Sequence, residues 1–299
     1  MLASLFTPLP AAAQHVIDVP SGGYSSGPAY GNSSNTDGSD YSLSASDNTL
    51  NIASGTVDNA AYGANVIDTG AQSATDNTLH ISGGTVQGAA YGGSASSSDD
   101  SGAHALSNHV QIDNGGSADD SVYGGNAISA QNAAANQNIV EISGAVTGTV
   151  TGGYAQGNGE ANDNTVTISS GASVGGNVYG GRVDSSGSGA ATGNTVAIAT
   201  TGETYANLYG GAITGGGTGD AFTNNELNLA AGNTITSAQN FNTVNFTSAG
   251  DAGIATLDAA ATGAAGNPLV TLNTDAYNVG MAGAIIGTGG IDKTGAGTL

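Results

Sequence analysis

The 299-residue chain has no cysteine, no tryptophan, five prolines and only two basic residues, Arg182 and Lys293. Each shortage excludes something. Without cysteine there is no disulfide framework, so backbone hydrogen bonding and modest apolar packing have to hold the fold. Against 23 acidic residues the two basic ones leave a formal charge of −21, and no positive patch exists to release counterions from phosphates. Nucleic-acid binding is thereby excluded, as is docking on anionic lipid headgroups through a polybasic segment. The acidic residues are scattered rather than blocked, which suits a solvated surface. After the N-terminus no run of 18 apolar residues occurs, so no segment reads as a membrane-spanning helix.

What the chain does have is 51 glycines, together with much Ala, Ser, Thr and Asn, and this composition points to either disorder or repeats. Repeats win. The pattern Asn-x-(Leu/Val/Ile)-x-(Ile/Leu) starts at Asn48, Asn77, Asn108, Asn138, Asn164, Asn194 and Asn225, at intervals of 29, 31, 30, 26, 30 and 31 residues. A second pattern follows 13 to 15 residues later, at Tyr62-Gly63-Ala64, Tyr91-Gly92-Gly93, Tyr123-Gly124-Gly125, Thr151-Gly152-Gly153, Tyr179-Gly180-Gly181 and Tyr209-Gly210-Gly211, with Tyr30-Gly31-Asn32 as an eroded earlier copy.

Alternation such as Leu50-x-Ile52 has the period of a strand with one buried face, and glycine in almost every ten residues opposes helix. A unit of two short apolar strands cannot bury its own face, so copies have to stack. The pattern therefore predicts an all-β chain, a parallel β-helix (β-solenoid) with rungs of about 30 residues. Equivalent asparagines would form an amide ladder, and Tyr62, Tyr91, Tyr123, Tyr179 and Tyr209 a column. Stacking between rungs is preferred for that column over an exposed stripe that binds glycans or a host protein. The glycine pair is expected at a tight turn with positive φ, and Arg182 beside a carboxylate.

Organisation follows from where the repeat begins and ends. Residues 1–13 read as the remnant of a signal peptide, with Ala11-Ala12-Ala13 at its cleavage site. Residues 14–45 read as an N-terminal cap or irregular segment, and 46–232 as the repeat solenoid. Residues 233–299 leave the period but keep strand-like runs, which predicts a continuing β-helix with a different rung, cut short at its C-terminus.

Two segments carry a family resemblance. "NFNTVNFTSAGDAGIATLD" (Asn240–Asp258) and above all "GGIDKTGAGTL" (Gly289–Leu299) resemble the passenger regions of bacterial autotransporters. The second matches the passenger-associated β-strand repeat through Gly289, Gly290, Ile291, Lys293, Gly295, Gly297, Thr298 and Leu299. The resemblance implies a right-handed parallel β-helix, exported through the outer membrane of a Gram-negative-type bacterium to the cell surface or exterior. It also implies a partner, the C-terminal translocator barrel of the same polypeptide, which these residues do not include.

Chemistry-bearing motifs are few. "GNVYGGRV" (Gly176–Val183) has phosphate-loop spacing, but Arg182 and Val183 stand where Lys and Ser/Thr belong, and no helix follows. "GASVG" (Gly171–Gly175) fits the G-x-S-x-G pattern, with Ser173 unpaired to any of His15, His80, His104 and His109. A glycosidase carboxylate pair would draw on Glu141, Glu160, Glu203 and Glu226 and the aspartates, without tryptophan platforms. "GGTGDAF" (Gly216–Phe222), Asp99-Asp100 and Asp119-Asp120 are read as solvated loops rather than calcium sites.

No residue is assigned a catalytic, cofactor-binding or metal-ligating role, and no cofactor is expected. The expected function is a structural stalk or adhesion surface contacting a host glycan, a host protein or a second copy. A polysaccharide-active β-helix enzyme and a self-associating aggregation factor are the alternatives.

Overall fold

The computed structural model describes residues 15–23, 27–31, 45–68, 71–98, 101–260 and 268–299; the leader 1–13, Asn32 and Asp99-Asp100 lie outside them. Among the described residues there is no helix, every strand pairing is parallel, and the chain winds as a β-solenoid. The first sheet has 11 strands, running from His15–Asp18 through Asn48–Ile52 and its repeats to Gly290–Thr294. At the usual spacing of parallel strands its long axis measures about 48 Å. A second sheet of 12 strands carries the tyrosine-glycine motifs, and a third of five two-residue strands lies between them in the five rungs from Thr56–Val57 to Ser173–Val174.

His15–Asp18 and Ala29–Tyr30 pair with Asn48–Ile52 and Ala61–Asp68, so strands of the stack begin within the segment that the sequence pattern assigns to a cap. Past Asn225 the winding continues on altered rungs through Thr243–Phe246, Leu269–Asn273 and Gly290–Thr294.

Two apolar compartments run along the stack. The larger is filled by the alternating residues of the first sheet, including Leu50, Ile52, Val140, Ile142, Leu227 and Leu229, with Val57, Val86, Val122 and Val150 facing them. The smaller is lined almost wholly by alanine, including Ala74, Ala95, Ala105, Ala127, Ala155 and Ala191. Alanine is what fits where the backbones approach closely. The narrow compartment is built from the far ends of the second-sheet strands and two added strands, Gln72–Thr75 and Ala103–Leu106.

Between the compartments runs the asparagine line. Asn48, Asn77, Asn108, Asn138, Asn164, Asn194 and Asn225 are all 0–2% exposed. From Asn48 to Asn194, each donates twice to the Oδ1 of the next copy, once from its backbone N–H and once from Nδ2, at 2.9–3.2 Å. In three copies the remaining Nδ2 hydrogen reaches a carbonyl on the arm of the preceding rung: Asn77 donates to Ala45, Asn108 to Ala74 and Asn138 to Ala105. Asn225 ends the line, donating to the carbonyls of Ala221, Ala191 and Asn240. In the next rung Phe241 is the buried side chain, while the Asn242 amide donates outward to the Leu269 carbonyl.

Two backbone features serve this line. The residue before every ladder asparagine is left-handed: Asp47, Asp76, Ser107, Gln137, Asp163, Gly193 and Asn224 have φ between 53° and 69°. That bend turns the chain into the sheet and aims the following side chain inward, at a cost smallest for Gly, Asn and Asp. The glycine pair corrects the expectation drawn from its sequence. None of Gly92, Gly93, Gly124, Gly125, Gly152, Gly153, Gly180, Gly181, Gly210 or Gly211 has positive φ. They lie in strands, and their lack of a side chain is steric. A Cβ on Gly181 would fall 2.7 Å from Nδ2 of Asn194, and one on Gly210 would fall 2.6 Å from Cβ of Asn225. At the start of the line Ala64 pairs with Gly93 and is fully buried, so one methyl is admitted there.

Replacing Asn138 by leucine leaves the two donors of Asn108 buried without an acceptor, for an expected loss of about 3–5 kcal/mol. Gly181→Ala is an overpacking change expected to cost about 1–3 kcal/mol. Urea unfolding of both variants checks this, and a Gly181→Ala chain as stable as the parent would refute the steric account.

Candidate functional site

The outer side of the second sheet carries the tyrosine column. In-register pairing sets Tyr30 on Tyr62, Tyr62 on Tyr91 and Tyr91 on Tyr123. Their ring centroids are 5.1, 4.7 and 5.1 Å apart and their planes within 4–11°. Tyr179 and Tyr209 form a second run, at 4.6 Å and 7°. The distances follow from the strand spacing, which holds successive rings within stacking range. Each ring is half-buried, and Tyr62 and Tyr91 have a stacked ring on both faces.

The two runs are separated by Thr151, which pairs with both Tyr123 and Tyr179 but has no ring. Tyr154, three residues on, fills part of the gap, its ring edge-on to Tyr123 at 6.0 Å and 65°. Arg182 completes the splice. Its guanidinium carbon stands 5.5 Å from the ring centroids of both Tyr154 and Tyr179. The sequence-based expectation of a carboxylate partner is therefore wrong: among the described residues no carboxylate lies within 4 Å of Arg182. A planar, weakly hydrated cation fits between two aromatic faces where a third ring is missing. The splice is imperfect, since Nε of Arg182 and Oγ1 of Thr151 are buried without hydrogen-bond partners.

Three phenols on this face, Tyr91, Tyr154 and Tyr209, are raised above the ordinary tyrosine range. Burial pushes Tyr91 far above the ordinary tyrosine range, helped by Tyr62, Tyr123 and Asp120. Burial also raises Tyr154, with Asp184 adding to it, and Tyr209, with Tyr179 adding to it. On the first sheet, His80 Nε2 meets Asp113 Oδ2 at 2.7 Å and His109 Nε2 meets Glu141 Oε2 at 3.0 Å. The hydrogen bonds from His80 and Gln111 hold Asp113 below the usual carboxylate range.

The motifs singled out in the sequence fall elsewhere. Gly176–Val183 is not an open loop: its second half is the strand Val178–Asp184, and the Gly176 amide donates to the Gly148 carbonyl at 3.0 Å. Ser173 is exposed on the two-residue strand Ser173–Val174, with no helix after it. Asp220 caps its own turn, accepting from the amides of Phe222 and Thr223 and from the Thr223 hydroxyl. No group of three or more His, Asp or Glu suited to a metal occurs among the described residues.

An open groove of about 390 Å³ lies beside the splice, lined by Gln131, Gln156, Asn158, Asp184 and Ser185 among others. It sits where the strand Val122–Ala134 shifts register and Asn132 turns left-handed. Sequence reasoning missed it, because bulges leave no periodic signal. It also missed the Tyr154–Arg182 splice, whose only trace was a threonine in a tyrosine position with a compensating ring three residues later.

Arg182→Leu removes both cation–π contacts, and a loss of about 1–2 kcal/mol is expected in chemical denaturation, with Arg182→Lys falling between. Tyrosines in the unfolded chain ionise near pH 10, whereas Tyr91, Tyr154 and Tyr209 are raised in the fold. Their contribution is thus fully present below about pH 10 and is lost as pH rises beyond it. Phenolate absorbance during an alkaline titration should show a delayed class of tyrosines that rises with unfolding, and Tyr91→Phe should shrink that class. Ionisation of all tyrosines together near pH 10 would refute the burial assignment. Comparisons with known protein families, with curated proteins and with solved structures returned no match.

Proposed function

We propose that this chain is a section of the secreted passenger of a bacterial autotransporter, serving as a rigid stalk whose sides form an adhesion surface. One observation carries the stalk reading. The residues repeated from rung to rung, the asparagines, glycines and tyrosines, are engaged with each other along the axis. Repetition is therefore accounted for by length and stiffness, and the variable loops are left to differ between rungs. The passenger reading rests on the Gly289–Leu299 segment and on the cysteine-free sequence, which is compatible with passage through an outer-membrane pore while unfolded.

An acidic rod repels its own kind at low salt, so contact with other surfaces depends on hydrogen bonding by the uncharged amides and hydroxyls of its sides. The polar groove at Gln131, Asn158 and Asp184 is a concave surface of this kind. Its amides and hydroxyls match the hydroxyls of a neutral glycan.

Bacteria producing the full polypeptide should expose this region to added protease, and microspheres coated with the purified chain should be retained on glycan- or protein-coated surfaces under flow. Protection from protease in intact cells would overturn the export reading. Coated spheres that bind no better than bare ones would overturn the adhesion reading. Release of reducing ends from polysaccharides, abolished by Glu160→Gln or Asp184→Asn, would replace it with the enzymatic one.

A further inference from the structure

We propose that the tyrosine column is a cross-linking site, at which a one-electron oxidant joins neighbouring ladder tyrosines into dityrosine and so staples successive rungs covalently. The geometry singles out particular pairs. For near-parallel rings in register, the ortho carbons of neighbours lie about as far apart as the centroids, which are 4.6–5.1 Å for Tyr30–Tyr62, Tyr62–Tyr91, Tyr91–Tyr123 and Tyr179–Tyr209. Coupling at those carbons, to a carbon–carbon bond of about 1.5 Å, brings the facing edges together, and rearomatisation then turns the two rings out of the stack until the bond lies in both ring planes. The rings are half-buried, so part of each is exposed to solvent. Tyr123 and Tyr154 differ, being 6.0 Å apart and crossed at 65°, and the Arg182 guanidinium lies over the rings of both Tyr154 and Tyr179. The splice should therefore be a gap in the cross-linking pattern.

The chemistry balances without any group from the protein. Each phenol gives one electron to the oxidant and its hydroxyl proton to water, leaving a phenoxyl radical with spin density at the ortho carbons. Two such radicals on adjacent rungs form one ortho–ortho bond, and the hydrogen on each coupled carbon moves to the oxygen, restoring both phenols. Per bridge the protein loses two electrons and two protons, and the oxidant, a haem peroxidase fed by hydrogen peroxide, takes up the electrons. Burial raises the phenols of Tyr91 and Tyr209 and so opposes their proton loss. A bridge closes a loop of about 30 residues, within the range over which a disulfide restricts the unfolded chain. This chain has no cysteine with which to make one.

The test treats the purified chain, at high dilution, with peroxidase and limiting peroxide. The products are followed by dityrosine fluorescence, denaturing gels, intact mass and mass mapping of linked peptides. The expected result is a monomer lighter by two hydrogens per bridge, with links at the four stacked pairs, none at Tyr123–Tyr154 and a raised thermal unfolding midpoint. Tyr91→Phe keeps a ring in the stack and should abolish the two links through position 91, leaving Tyr30–Tyr62 and Tyr179–Tyr209; Tyr209→Phe should abolish only the last. The proposal is overturned if dityrosine appears only in covalent dimers, or if links to the off-column Tyr277 are as frequent as links within the column. It is also overturned if oxidation consumes peroxide without forming dityrosine. None of these outcomes depends on whether the chain is exported or adhesive.

Discussion

A polar side chain sealed inside a solenoid has to find its hydrogen-bond partners along the axis, and the seven asparagines between the two apolar compartments are where this chain meets that demand. A buried amide left unpaired costs about 1–3 kcal/mol for each group, a penalty comparable with burying a whole aliphatic side chain. Much else in the rung answers to that line. The left-handed residue before each asparagine aims it inward, the glycine pair clears space above its amide, and the alanine strands supply carbonyls to it. The apolar residues fix which face of a strand is inside, as in any half-buried sheet. They would tolerate other registers more readily than the amides do, because dispersion contacts lack the directional requirement of a hydrogen bond.

The tyrosine column obeys the same spacing with a softer interaction, and it can therefore be interrupted. Where Thr151 removes a ring, Tyr154 and Arg182 restore contact through an edge and a cation. Use of the sole arginine here is informative in a chain of charge −21. A cation placed for electrostatics alone would be expected among carboxylates, whereas this one lies across aromatic faces. The two features together describe a rod with a rigid amide seam and an adaptable aromatic edge, which suits the stalk reading. The chemically varied surfaces, such as the groove at Asn158 and Asp184, are found where register slips.

The parts of the fold that were legible in the sequence are the periodic ones. Asparagines near 30 residues apart, and Leu-x-Ile alternation behind them, lead to parallel stacked strands because no single rung can bury its own face. The role of the glycines was not legible, since a glycine needed for clearance and a glycine needed for positive φ are written with the same letter; only the position of Asn194 beside Gly181 separates them. Gln72–Thr75 and Ala103–Leu106 carry no strand signal in the sequence, since their alanines and serines give little apolar contrast, and they are strands through pairing with each other. Arg182 was misassigned because charge counting weighs carboxylates and overlooks ring faces. Of the groove the sequence carried nothing, since a bulge changes register without changing composition.

Each rung from Asn48 to Asn194 carries one acceptor, two donors, a clearance and usually a ring. Point changes within the seam leave some partner stranded, but gain or loss of an entire rung leaves each remaining amide matched to a neighbour. Seam and sheets together thus make whole rungs interchangeable parts. Gain or loss of whole rungs would lengthen or shorten the rod by about 4.8 Å at a time without requiring any compensating mutation. Reach, rather than surface chemistry, is then the property of this protein that a lineage can alter most freely.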